Sequence, residues 1–290
     1  MDYKLLKHFD SLESALHSVF GAGVSVVRSE RISGGDINEA YGLTLSDGNR
    51  IFMKKNAKEN ISFFDAEAAG LYAISHTDTI RTPQIFCAGT DGEGEGFSFL
   101  LMEFISGKNR INNYWETFAH ELADMHNAPT DDFVKDGLYG FIDDNYIGSG
   151  GQMNEAHESF VSFFRECRLE PQFKRAERYF DTSDLKKITK LLDGLDNFLV
   201  EPTHPSLLHG DLWGGNFMTG NDGRAWLIDP AAYVGHAEAD IAMTELFGGF
   251  SQTFYHAYRE AAHMQPGYER RRDLYNFYTY SATVLFTDDR

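Results

Sequence analysis

Residues 208–216 read Leu-His-Gly-Asp-Leu-Trp-Gly-Gly-Asn, and the Asp of Leu227-Ile228-Asp229-Pro230 comes eighteen residues after Asp211. No other stretch constrains the fold as tightly. Asp211, Asn216 and Asp229 can act together only if the loop that carries the first two meets the third beyond a short hairpin at Asn221-Asp222-Gly223. An Asp, an Asn five residues later and a second Asp past a hairpin are the parts that phosphoryl transfer from ATP to a hydroxyl requires. Asp211 is the candidate base for the attacking hydroxyl. Asn216 and Asp229 supply hard oxygens suited to Mg2+. His209 is expected to brace the loop rather than to react. Trp213 has two readings, stacking on a substrate beside Asp211 or packing under the loop.

At 290 residues the chain can bury a sizeable core and divide into two lobes. A hydrophobic share of 42% with 24% charged residues excludes a disordered chain. No apolar run has the length of a membrane span, and Met1-Asp2-Tyr3-Lys4 opens no signal peptide. The two cysteines, Cys87 and Cys167, lie in apolar patterns and cannot form a disulfide framework, so buried, inert thiols and a cytoplasmic location are expected. Twenty-six basic residues against 44 acidic ones give a net charge of −18. That charge repels nucleic acid and anionic membranes at long range. It suits an amine-bearing substrate, and equally it is a route to plain solubility.

Periodicity predicts a helix over 5–20, strands near 24–28, 41–45 and 51–54, a helix over 64–76, and strands near 84–88 and 97–102. Beyond Glu103 the pattern turns mainly helical, with helices over 118–127, 158–169, 185–199, 238–247 and 254–262. A β-rich lobe, a short hinge and a helical lobe make an α+β, bilobal, protein-kinase-like fold. The expected division is 1–105 for the nucleotide-binding lobe and 106–290 for the catalytic, metal and substrate lobe.

That architecture asks for a Lys on the third strand to meet the α- and β-phosphates and a Glu on the next helix to pair with it. Lys54 ends Ile-Phe-Met-Lys, and Glu67 follows thirteen residues later on the predicted helix. Strand alternation puts Lys55 on the opposite face. Gly34 and Gly35, between the first two strands, would let backbone amides approach phosphates, although a plain hairpin turn fits them as well. Met102, Glu103, Phe104 and Ile105 form the expected hinge, whose backbone would hold the adenine edge. His120-Glu121-Leu122-Ala123-Asp124 lacks the second His of a zinc-protease helix, and no Gly-x-Ser-x-Gly elbow exists.

Several stretches together resemble the fructosamine kinase (ketosamine 3-kinase) family, within the wider aminoglycoside phosphotransferase and choline kinase group. They are Leu208 to Asn216, Ile228-Asp229-Pro230-Ala231, Tyr233 to Met243, and Leu246-Phe247-Gly248-Gly249-Phe250. Ile37-Asn38-Glu39-Ala40, Leu122-Ala123-x-Met125-His126 and Arg168-Leu169-x-Pro171-Gln172 extend the resemblance over nearly the whole chain. It implies ATP-dependent phosphorylation of the 3-hydroxyl of a free or protein-bound ketosamine, which destabilises the adduct and frees the amine. Ribulosamines and erythrulosamines are favoured over fructosamines. It also implies that Glu238 and Asp240 brace the helix or the base loop. A kinase for another hydroxylated amine and a nucleotide-binding pseudokinase are the competing readings. The chain departs from the family at Asn154-Glu155-Ala156, where an aromatic residue is usual. Its last residues depart too, and an altered end is expected to lower stability or leave part of the helical lobe uncovered.

Overall fold

Strand β6 (Phe97–Glu103) is buried on both faces, and that organises the first hundred residues. It lies inside a six-stranded sheet of order β1-β5-β6-β4-β3-β2. The other strands are β1 (His8–Phe9), β2 (Val26–Ile32), β3 (Glu39–Leu45), β4 (Arg50–Ala57) and β5 (Ile85–Asp91). Neighbours run antiparallel except β1, which pairs parallel with β5. Successive side chains of a strand point to opposite faces. Phe99 and Leu101 therefore join Leu43, Ile51 and Met53 under helix α1 (Leu12–Phe20). Leu100 and Met102 join Phe64, Ala68 and Leu71 of helix α2 (Ile61–His76) on the other face. The computed structural model describes residues 6–33, 37–92, 94–134, 137–262 and 264–287, with the backbone alone from 282 onward.

The remainder is mainly helical around one aromatic-rich core that includes Phe118, Phe160, Phe163, Phe254 and Tyr275. Its helices are α3 (Tyr114–Asn127), α4 (Phe160–Phe163), α5 (Glu170–Arg175), α6 (Thr182–Asp193), α7 (Glu238–Leu246), α8 (Gln252–Ala261) and α9 (Tyr268–Thr287). Three small antiparallel pairs interrupt them: β7 (Asn145–Ile147) with β8 (Gly150–Gln152), β9 (Ser206–Leu208) with β12 (Tyr233–Gly235), and β10 (Phe217–Thr219) with β11 (Ala225–Leu227). Among the described residues no helix is long and apolar enough to cross a membrane.

Several element boundaries differ from the periodicity. The first helix begins at Leu12, because the Ser11 hydroxyl caps the Ser14 amide at 3.1 Å and His8–Phe9 are drawn into the sheet. The helix expected over 158–169 is one α-turn followed by a π-helix at Phe164–Leu169. The helix expected over 185–199 stops at Asp193, where Gly194 ends it, and none of its residues is fully buried. Helix α9 escaped the sequence because three arginines and several polar residues break any apolar stripe. The departing C-terminal stretch, residues 279–290, continues helix α9 as far as Thr287, and residues 288–290 lie outside the described residues.

Helix α9 is tied to α7 by a buried ion pair. Arg271 donates to both carboxylate oxygens of Glu238, at 2.7 and 2.6 Å, and both side chains are almost fully enclosed. Removing one partner of such a pair strands a buried charge. Arg271→Ala should cost about 3–5 kcal/mol in urea unfolding, and an Arg271→Met, Glu238→Met double variant should recover much of that loss.

Candidate active site

The catalytic loop hangs between β9 and β10, and its backbone is held by a single carboxylate. Asp240, near the start of α7, accepts the amide hydrogens of His209 at 2.7 Å and Gly210 at 2.9 Å. His126 on α3 supports Asp240 through Nε2 at 3.2 Å and meets the Tyr258 hydroxyl through Nδ1 at 2.7 Å. Glycine is required at 210, because φ is +78° and a Cβ would collide with the Ala231 carbonyl. The expected bracing roles are visible here: Asp240 holds the loop, and Glu238 holds α9.

His209 does its work with both ring nitrogens. Nδ1 accepts the Asp211 amide at 3.2 Å, so Nε2 carries the proton and donates to the Ile228 carbonyl at 2.9 Å. Burial lowers its pKa, which keeps the ring neutral and the tautomer fixed. Thus one side chain spans from Asp211 to the residue before Asp229. Asn216 closes the loop from the other end. Its Nδ2 donates to the Asp211 carbonyl at 2.8 Å and to Asp211 Oδ2 at 2.7 Å, while Ile228 donates its amide hydrogen to the Asn216 carbonyl at 3.1 Å.

Lys54, Glu67 and Asp229 meet although they are far apart in sequence. Lys54 lies opposite Leu100 in the β4–β6 register, on the face that α2 covers. It is nearly buried and donates to Glu67 Oε1 at 2.7 Å and to Asp229 Oδ1. Lys55 points to the other face, near Glu39. Helix α2 can lie this close because Gly70 faces Pro230, and a Cβ there would sit 2.9 Å from the proline ring. Burial would lower the Lys54 pKa, but the fields of Asp229 and Glu67 outweigh it and hold the ammonium charged. Burial likewise opposes ionisation of Asp229, and the adjacent Lys54 overcomes it, leaving that carboxyl below its usual range. Glu67 is pushed up to about 7 by burial, against the pull of Lys54.

Burial raises the Asp211 carboxyl to about 7, Asn216 opposes that shift by hydrogen bonding, and the fields of Asp229 and Asp240 add to it. A carboxylate poised near neutrality has the proton affinity a general base needs.

At the hinge, the Glu103 amide is already committed to the Gln84 carbonyl at 2.8 Å. Among the described residues the amides of Phe104 and Ile105 have no protein partner. Met102 is buried in the α2-side core. The Arg50 guanidinium lies 3.8 Å over the Phe104 ring. Asn221, at the tip of the β10–β11 hairpin, accepts from the Ser106 amide at 3.0 Å and the Ser106 hydroxyl at 2.7 Å. Gly34 and Gly35 lie outside the described residues. Trp213 is 40% exposed, with its ring over Gly215 and edge-on to Phe247 at 6.1 Å. It both packs on the loop and presents an open face.

Among the described residues no cluster of three or more His, Cys, Asp or Glu side chains could hold a metal ion alone. Mg2+ at a triphosphate needs none, since it retains waters and takes one or two protein oxygens plus phosphates. Asn216 fits that demand. Its amide nitrogen is fully engaged, which leaves Oδ1 as an available hard ligand close to Asp211. Asp229 adds a carboxylate held ionised by Lys54. Sequence reasoning gave no role to the buried polar residues Asn145, Gln152 and Tyr278, because an Asn, Gln or Tyr in a mixed stretch carries no signal of its own.

The fructosamine kinase family model matches residues 8–288. A probable ketoamine kinase from Synechocystis is 35% identical over 275 residues, which cover 93% of this chain and 88% of that one. The chloroplastic protein-ribulosamine 3-kinase of Oryza sativa subsp. indica is 36% identical over 263 residues, 90% of this chain and 74% of that one. A solved structure from Haemophilus somnus, provisionally titled a fructosamine-3-kinase, superposes with a TM-score of 0.83 at 28% identity, covering 97% and 92% of the two chains. A macrolide 2'-phosphotransferase at 17% identity, with a TM-score of 0.63, shares the fold.

The raised Asp211 pKa has a sign in stability. An unfolded Asp ionises near 3.9, whereas here the carboxyl holds its proton to about 7. Between those values the folded state binds the extra proton, so Asp211 lowers stability as pH rises and its full cost is present above 7. Asp211→Asn should therefore raise the melting temperature at pH 8 and leave it nearly unchanged below pH 4. A lower melting temperature at pH 8 would show that burial is not what perturbs this group.

Proposed function

The chain belongs to the fructosamine kinase family, and we propose that it transfers the γ-phosphoryl group of ATP to the 3-hydroxyl of ketosamines, ribulosamines ahead of fructosamines. The observation that carries this reading is the joining of Lys54, Glu67 and Asp229 beside an Asp211–Asn216 pair, from five separate points of the sequence. A pseudokinase has no need to keep all five. Structural likeness to antibiotic phosphotransferases, at 17% identity or below, speaks for the fold and not for their acceptors.

In this proposal residues 1–105 and 106–290 act as nucleotide and acceptor lobes around one cleft. The amides of Phe104 and Ile105 receive the adenine edge, with Met102 and Glu103 completing the hinge. Lys54 binds the α- and β-phosphates while Glu67 fixes its direction. For this, Lys54 must turn from Asp229 toward the nucleotide, an exchange of one anion for another of greater charge. Asn216 and Asp229 hold Mg2+, which when bound neutralises charge developing on the phosphates. The Asp211 carboxylate orients the acceptor hydroxyl and takes its proton as the oxygen attacks the γ-phosphorus and ADP leaves. Asn216 keeps that carboxylate aimed, and neutral His209 fixes the loop without exchanging protons. The exposed face of Trp213 offers a sugar or amine an apolar surface.

The test is magnesium-dependent ATP turnover with a ribulosamine, a fructosamine, an aminoglycoside, choline and no acceptor. Turnover is expected with the ketosamines. Asp211→Asn should lose roughly 10²-fold or more in kcat while its ADP affinity stays within a few-fold of wild type. Turnover confined to the aminoglycoside or choline would move the acceptor assignment, and wild-type rates equal to those of Asp211→Asn would leave a nucleotide-binding protein.

A further inference from the structure

Asp229 is one of two non-glycine residues with positive φ among the described residues, at +54°. A left-handed conformation persists at such a residue when its surroundings over-determine it. Upstream the cause is already described: His209 Nε2 donates to the Ile228 carbonyl. Downstream, the two carbonyls after Asp229-Pro230 are gripped by side chains from a distant hairpin. Asn145 Nδ2 donates to the Ala232 carbonyl at 2.7 Å. Gln152 Nε2 donates to the Ala231 carbonyl at 3.0 Å and to Asn145 Oδ1 at 2.8 Å. Asn145 and Gln152 face one another across the β7–β8 pair, and both are buried.

The grip is itself supported from α9. The Tyr278 hydroxyl donates to Gln152 Oε1 at 2.6 Å, so both ends of the Gln152 amide are engaged and its orientation is fixed. Beneath Tyr278 the fully buried Arg168 guanidinium lies between aromatic rings, 4.1 Å from the Tyr233 centroid and 5.6 Å from that of Tyr278. It donates to Asn154 Oδ1 at 2.8 Å and to the Met153 carbonyl at 2.5 Å, locking the backbone next to Gln152. The Ala231 amide hydrogen meanwhile goes to the His209 carbonyl at 2.9 Å. The residue whose carbonyl Gln152 holds is thus bonded through its own amide hydrogen to the catalytic loop.

We propose that Gln152, oriented by Tyr278, is a positioning residue for the metal: it holds the Ala231 carbonyl, as Asn145 holds that of Ala232, so that the strained Asp229 backbone keeps its carboxylate turned into the cleft. The inference rests on the reading of Asp229 as a metal ligand. Outer partners of metal ligands act in this way, and losing one typically weakens metal affinity about 10- to 100-fold. Gln152 touches neither nucleotide nor acceptor in this scheme, so its loss should appear in the metal linkage and not in adenine recognition.

The experiment measures ADP binding by calorimetry with and without Mg2+, and adenosine binding as a control that needs no metal. Three variants are compared with wild type: Gln152→Met, which keeps the volume and removes the donor; Tyr278→Phe, which frees the Gln152 amide to rotate; and the double variant, which leaves no orphan tyrosine hydroxyl. The expected result is a roughly 10-fold or greater fall in the Mg2+-induced gain of ADP affinity for Gln152→Met and for the double variant. Tyr278→Phe should show a smaller fall, with adenosine affinity unchanged in all three. In the double variant the melting temperature should partly recover while the metal linkage does not. An unchanged Mg2+ gain in folded Gln152→Met overturns the proposal, as does a parallel loss of adenosine affinity. A wild type whose ADP affinity ignores Mg2+ overturns instead the metal assignment on which the proposal stands.

Discussion

One ammonium group ties the two halves of this molecule together. Lys54, deep in the sheet, is shared by Glu67 from α2 and Asp229 from the far side of the catalytic hairpin. Burying a lysine is unfavourable unless carboxylates surround it. Here the two carboxylates come from different layers, so folding of the sheet, docking of α2 and placement of the hairpin depend on one another. The cation proposed to meet phosphate is thus paired with the carboxylate proposed to meet metal.

The catalytic loop depends on the opposite arrangement, an anion that gathers backbone amides. Asp240 does for residues 209–210 what a helix-capping side chain does for a first turn. Through His126 and Tyr258 that anchor extends to α3 and α8. The Asp211 carboxylate sits beyond it, hydrogen-bonded to the neutral Asn216 amide and with two carboxylates in the neighbourhood. The loop is thus firm where it is anchored and electrostatically uncomfortable where the proposed base lies, a common trade of stability for reactivity.

Much of this was legible in the order of residues. The spacing of Asp211, Asn216 and Asp229 fixed a loop and a hairpin, and strand parity separated Lys54 from Lys55. Short-range turn chemistry and two-residue alternation are local physics, which a sequence carries in full. Helix ends were less legible. Gly194 stopped α6 before its apolar stripe ended, and Ser11 delayed α1. Both stops are decided by caps that compete with periodicity. The small β7–β8 and β9–β12 pairs were invisible because three-residue strands have no period to read.

By itself, then, the sequence determined the chemical inventory on which the proposal draws: a candidate base, two candidate oxygen ligands, a lysine and its carboxylate partner, and the bilobal order in which they occur. Tertiary structure alone decided which buried polar groups serve them. Asn145, Gln152 and Tyr278 are ordinary residues in unremarkable stretches, and they acquire meaning only where folding brings Asn145 and Gln152 against the carbonyls after Asp229 and Tyr278 against Gln152. The reason is physical. A catalytic residue is recognised by what its own side chain can do, whereas a supporting hydrogen bond depends on the direction and desolvation of a partner far away in sequence.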